Sequence, residues 1–338
     1  MTSLQRVLAA IRHQPVDRVP VMPLIKQFCT RRLGKDYAEY NRNGRVLVEC
    51  QMEIHGRFDF DCFNVLGYPY REAGDCGLPL SWPPDALPRA EGILVRTQDD
   101  IKNIRWPAPE NGPLMHDRLR AIELFKNHRP DVAVLGWVEG VFAQAMTFLG
   151  LDQGLMDLLT EPDLIRRLLD FILPHEIAFA EAQVKAGADI IGIGDAAASL
   201  VNRRQYQEFI LPYEKLLIDA VRKTGAPVKL HICGNITHLL NDIASLNADV
   251  IDIDWMVDLR EARRILGPTV CLCGNFDPVT VLLQSTPEAV KQACLRCLRE
   301  AQSPYVLSPG CEVPPDTPAE NFAALCGHFH FDTERTPA

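Results

Sequence analysis

Eight short apolar runs, rich in β-branched residues and separated by longer stretches of helical period, constrain this chain more than any other feature. They are residues 19–25 (VPVMPLI), 58–66 (FDFDCFNVL), 132–138 (VAVLGWV), 189–194 (DIIGIG), 228–233 (VKLHIC), 249–254 (DVIDID), 269–273 (TVCLC) and 305–308 (YVLS). Runs apolar on both faces suit parallel strands covered by helices, and strands alternating with helices read as βαβ units. Helix punctuation lies between them. Thr160 and Pro162 open one helix, Thr286 and Pro287 another, and Thr317 with Glu320 has the spacing of a capping box. Leu164, Leu168, Leu169 and Ile172 recur at helical spacing, as on a face that covers a sheet. Eight strands in 338 residues favour one closed (β/α)8 TIM barrel, class α/β, over two open-sheet domains, and no G-x-G-x-x-G follows a strand to mark a dinucleotide site. A single domain over residues 1–338 is expected. The Pro- and Gly-rich stretch of about 72–109 reads as an excursion inserted after the second strand.

Charge and cysteine content narrow the function. Against 35 basic residues stand 44 acidic ones, a formal charge of -9, which has the wrong sign for tracking nucleic-acid phosphates. No apolar run approaches the roughly 18 residues of a membrane span. The N-terminus lacks the pattern of an export signal, so a cytoplasmic location is expected. The 11 cysteines are then poor disulfide candidates, and metal or thiol chemistry becomes the reading to test.

In such a barrel the C-terminal ends of the strands form the active-site mouth. Glu139 follows the third run, Asp195 the fourth, His231 and Cys233 end the fifth, Asp254 ends the sixth, Asn275 and Asp277 follow the seventh, and Cys311 follows the eighth. Strand alternation sends His231 and Cys233 to one face. Imidazole and thiolate suit Zn2+, and a catalytic zinc needs three protein ligands plus an open position. Cys311 is the expected third ligand and Asp254 a displaceable fourth. Glu139 and Asp195 share the same rim and are the candidate catalytic, substrate-binding carboxylates. Cys271 and Cys273 are expected to pack in the barrel, and Cys294 and Cys297 on a helix. Cys29, Cys50, Cys62, Cys76 and Cys326 have no companions.

From about Arg18 to Leu325 the chain resembles the uroporphyrinogen decarboxylase superfamily. The likeness is carried by GWVEG (136–140), DIIGIGDAAAS (189–199), FILPY (209–213), GNFDP (274–278) and PGCEVPPDTP (309–318). It implies the same barrel. Decarboxylases of this superfamily carry paired arginines after the first strand, where this chain has Lys26 and Thr30, and they lack the H-x-C that it has. H-x-C with a distant cysteine resembles the zinc-dependent, corrinoid-linked methyltransferases of the superfamily, those that methylate coenzyme M and those that use chloromethane or methyl ethers. It is similar also to cobalamin-independent methionine synthase, with Asp254 in the place of a ligating carboxylate. The resemblance implies methyl transfer between a zinc-bound small molecule, either a thiol acceptor or a methyl-ether donor, and the cobalt of methylcobalamin or a related corrinoid. A separate corrinoid-binding protein would carry that cobalt, since the chain has no D-x-H-x-x-G. Asn235 joins Glu139 and Asp195 as a group that orients substrate, and Asn235, Asn275 and Asp277 are assigned to the cofactor side. Two alternatives stay open here, a metal-free porphyrinogen decarboxylase and a non-catalytic protein with structural zinc.

Overall fold

A computed structural model describes residues 1–331. Seven parallel strands form one sheet whose spatial order is the chain order: β1 (Cys62–Asn64), β2 (Ala133–Glu139), β3 (Ile190–Gly194), β4 (Val228–His231), β5 (Val250–Ile253), β6 (Cys271–Phe276) and β7 (Tyr305–Pro309). The run at 19–25 takes the eighth place. Val21 bridges Leu307 in parallel fashion, with the Met22 N–H donating to Leu307 O and the Leu307 N–H to Pro20 O, both at 2.9 Å. On its other side the Asp61 N–H donates to Val21 O at 2.8 Å, so the sheet closes between β7 and β1. All eight runs therefore occupy strand positions. The first shrinks to a single bridge because Pro20 and Pro23 have no N–H to give a ladder.

Two apolar layers follow from strand alternation. Val134, Ile191, Leu230, Ile251 and Leu272 face outward against a helix layer that includes Leu168, Ile172 and Phe179. Leu135, Trp137, Ile190, Val250, Cys271 and Val306 face the barrel interior, and helix α1 (Ser3–Ile11) closes the lower end with Val7, Ala10 and Ile11. Trp137 explains the two glycines of β3. A Cβ on Gly192 or Gly194 would lie 2.4 or 2.5 Å from its ring, so only glycine lets the indole lie across the neighbouring strand.

Below the barrel, Asp61 ties down the N-terminal segment. Its fully buried carboxylate accepts from Arg6 Nη1 at 2.6 Å, from Arg18 Nη1 at 2.6 Å and from the Val21 N–H at 2.8 Å. Residues 72–109 form a small hairpin, Leu80–Ser81 against Arg89–Ala90, and a helix, Gln98–Asn103. Trp106, in the loop that follows, stacks on His175 with centroids 4.7 Å apart.

Candidate metal centre at the barrel mouth

Residues in step with the interior side chains climb three strands to the upper rim, Glu139 on β2, His231 on β4 followed by Cys233, and Asp252 on β5 followed by Asp254, and the loop just beyond β7 brings Cys311 to the same rim. His231 Nε2 lies 2.9 Å from Cys233 Sγ, and Cys233 Sγ lies 4.0 Å from Cys311 Sγ. All three donor atoms fall within 4.8 Å of one another, the one such group of His, Cys, Asp and Glu among the described residues. Zn–S bonds of about 2.3 Å and Zn–N bonds of about 2.0–2.1 Å in a tetrahedron give ligand-to-ligand edges of roughly 3.5–3.8 Å. The 2.9 and 4.0 Å separations bracket that range, so the set fits zinc once the imidazole–thiol edge opens by about 0.6–0.7 Å.

Two glycines make the convergence possible. Gly234, at φ +95, turns the chain directly after Cys233, and a Cβ there would press on Ser199 Oγ at 3.1 Å. At Gly310 a Cβ would stand 2.5 Å from the Trp255 nitrogen, so glycine lets the Cys311 loop approach the loop after β5.

Charge at the set is shared between ring and sulfur. Hydrogen bonding from Cys233 and the nearby His231 outweigh burial and bring the Cys311 thiol down to about 4. The hydrogen bond to Cys311, with burial, pushes the Cys233 thiol up. For His231 burial opposes the charged form, but Cys233 and Asp252 overcome it and the imidazole is raised. A metal cation would take the place of these protons, since its ligands bind as thiolate and neutral imidazole.

Behind His231 stands a buried polar pair that sequence reasoning missed. His231 Nδ1 is 3.1 Å from Asp252 Oδ2, and Lys229 Nζ is 2.8 Å from the same oxygen. Burial works against the Asp252 charge, yet Lys229 and His231 hold its carboxyl far below the ordinary range. A carboxylate on Nδ1 fixes the tautomer that turns the Nε2 lone pair toward a metal. The signal was present in VKLHIC and DVIDID, where Lys229 and Asp252 sit in step with His231 on strands otherwise apolar. Replacing the pair together, Asp252→Asn with Lys229→Met, removes the orienting carboxylate without stranding a buried lysine. It is expected to weaken zinc affinity by about 10- to 100-fold in a competitive chelator titration; unchanged affinity would remove Asp252 from the metal's support.

The remaining rim residues divide. Asp254 adjoins the three ligands but is not among them: Oδ2 accepts the Gly234 N–H at 2.6 Å and Oδ1 the Trp255 N–H at 2.7 Å. The short side chain, expected from the sequence as a displaceable fourth ligand, holds the two loops that carry the site. Glu139 is buried with Oε1 accepting from Trp137 Nε1 at 3.3 Å; burial, then the nearby Glu72, push its carboxyl up to about 8 against the pull of Arg71. Asp195 is fully buried, accepts the Ala143 N–H at 2.9 Å at the start of helix Val141–Leu149, and packs so closely on Gly140 that a Cβ there would fall 2.3 Å from its carboxyl. Asn275 donates to Val257 O at 2.7 Å. Asp277 caps the next turn by accepting the Val279 N–H at 2.9 Å. The exposed Asn235 accepts the Thr237 N–H at 3.1 Å. Lys26, where the decarboxylases carry an arginine, is 2.9 Å from Glu312 Oε2 and donates to Gly67 O at 3.1 Å. The other cysteines stay outside the set. Cys271 and Cys273 are buried in the barrel interior, and Cys294 and Cys297 lie buried on helix Pro287–Ala301.

The family model for uroporphyrinogen decarboxylase (URO-D) matches residues 2–330. Methylcobamide:CoM methyltransferase MtbA of Methanosarcina mazei is 28% identical over 338 residues, 96% of either chain. The uroporphyrinogen decarboxylase of Anaeromyxobacter dehalogenans is 30% identical, covering 96% of this chain and 98% of its own. Among solved structures, a methyltransferase from Methanosarcina mazei superposes with a TM-score of 0.87 at 23% identity, over 96% of this chain and 97% of that one, which establishes the barrel.

Proposed function

The chain belongs to the uroporphyrinogen decarboxylase family, and on that premise we propose that it is a zinc-dependent methyltransferase exchanging a methyl group between a small molecule and a corrinoid carried by a partner protein. The observation that carries this reading is the convergence of His231, Cys233 and Cys311 within 4.8 Å at the rim of a barrel whose relatives include corrinoid-linked methyltransferases.

One neutral imidazole and two thiolates cancel the charge of Zn2+, and the missing fourth protein ligand leaves a position for substrate. Bound there, zinc would hold a substrate thiol as thiolate or polarise the oxygen of a methyl ether. The chain's own residues do the rest. Asp252 orients His231, Asp254 fixes the turns that carry Cys233 and face Cys311, and Trp137 closes the barrel below. Glu139 offers a polar group toward substrate, with Asp195 ordering the start of the neighbouring helix. The decarboxylase alternative has less support, because Lys26 is taken up by Glu312 and Gly67.

X-ray absorption at the zinc edge tests the reading. The purified protein is expected to contain about one zinc with one nitrogen, two sulfur and one exchangeable oxygen ligand, and added substrate should replace that oxygen. Four protein ligands that no thiol or methoxy compound displaces would point to structural zinc instead.

A further inference from the structure

The barrel wall around β2 buries more carboxylates than it has bases to pair with them. Glu72, on helix Arg71–Asp75, and Glu176, on helix Pro162–Ala186, are fully buried, and Glu139 nearly so. Among them lies the guanidinium of Arg71, also buried, with Nη1 3.6 Å from Glu72 Oε1 and its centre 5.7 Å from the Phe179 ring, one helical turn beyond Glu176. The groups act on one another: Glu72 and Glu139 on Glu176, Glu72 on Glu139, with Arg71 opposing each time. Lys26, itself paired with Glu312, also faces Glu139, as does the Trp137 N–H, and Asp195 faces Glu176 from the end of β3.

This cluster does not satisfy itself. Both oxygens of Glu72 and Glu176, Nε and Nη2 of Arg71, and the hydroxyl of Tyr68, whose ring lies 5.9 Å from the Arg71 guanidinium, all lack a hydrogen-bond partner within the protein. An ionised carboxylate buried without a partner is far less favourable than one that takes up a proton. One guanidinium balances one carboxylate, so burial favours the protonated form of the other two. Of the three, Glu139 is the one at the barrel rim.

We propose that Glu139, backed by Glu72, Glu176 and Arg71, is a proton donor at this site, and that the substrate is a methyl ether whose leaving oxygen needs that proton. The proposal rests on the methyl-transfer reading above. The methyl–oxygen bond breaks with its electron pair staying on oxygen. The methyl carbon forms its new bond with the electron pair of a Co(I) corrinoid, formally oxidised to Co(III). The Glu139 proton passes to the oxygen, the product is an alcohol or phenol, and the Glu139 carboxylate is reprotonated from Glu176 or water. A thiol acceptor has the opposite need, since it must lose a proton that a neutral carboxyl cannot take.

Infrared spectroscopy of the zinc-loaded protein at neutral pH is expected to show protonated-carboxyl C=O absorption that diminishes in Glu139→Gln and in Glu176→Gln. Glutamine has the shape of a neutral acid, so thermal unfolding of Glu176→Gln should match the wild type. Absence of that absorption, or its survival undiminished in both variants, overturns the proton store. The substrate class is read with 2-methoxyphenol and cob(I)alamin. Wild-type demethylation is expected to fall about tenfold per pH unit above the Glu139 pKa, and Glu139→Gln to be slower by about 100-fold with no such alkaline limb. An alkaline limb retained in Glu139→Gln overturns Glu139 as the proton donor, and methylation of a thiol by methylcobalamin without demethylation of the ether overturns the substrate assignment. Methyl transfer in neither direction overturns both the substrate class and the parent reading, while the infrared bands report on the cluster separately.

Discussion

Cys311→Ala is expected to yield a folded protein that purifies with well under one zinc per chain and transfers methyl groups about 1000-fold more slowly, because a catalytic metal supplies several kcal/mol of the barrier reduction. His231 and Cys233 sit two residues apart and remain as a chelating pair. They cannot enclose the ion alone, since the third corner comes from the loop beyond β7, 78 residues further on. Folding should survive. Cys311 is half-buried on a loop and belongs to neither apolar layer. Elemental analysis and circular dichroism read the two effects separately: undiminished zinc in a folded variant would remove Cys311 from the metal centre.

The largest stability effect is expected at the opposite end of the barrel. Asp61→Ala strands the buried guanidinium of Arg18, leaves the buried Arg6 to Asp17 alone, and frees the Val21 N–H that helps seat the eighth strand position. Removing one partner of a buried ion pair is destabilising by about 3–5 kcal/mol, read as a shift in the urea unfolding midpoint at unchanged slope. Asp17, which also binds Arg6, is exposed enough to leave that side of the network partly hydrated. A loss below about 1 kcal/mol, the size of a surface pair, would mean that the barrel's lower end is held by α1 packing alone.

How much of this was legible depends on what each residue type reports. The strand positions stood out because parallel strands buried on both faces become unbroken apolar runs; even the proline-interrupted run at 19–25 reaches its place, reduced to one bridge. The meeting of His231, Cys233 and Cys311 was legible because strand ends in one barrel converge on one rim. Asp254 was less legible for the opposite reason: an aspartate after a strand serves backbone N–H groups as readily as a metal, and its bonds to Gly234 and Trp255 are visible only in the fold. The family likeness seen in GWVEG and PGCEVPPDTP agrees with the match over residues 2–330. Glu176 was invisible at rim level because it lies mid-helix. Its clue was position: it falls in the same buried stripe as Leu169, Ile172 and Phe179, where a carboxylate is out of place unless something holds its charge or its proton.

His231 and Cys233 leave β4, whereas Cys311 leaves β7, three strands away around the ring. An ion gripped by all three is therefore a clasp between distant staves of one cask. Such a ligand binds only the assembled form, so stability should rise with free zinc as RT ln(1 + [Zn]/Kd). A cell short of zinc would then hold a chain that is less resistant to unfolding as well as idle, and its abundance would follow metal supply.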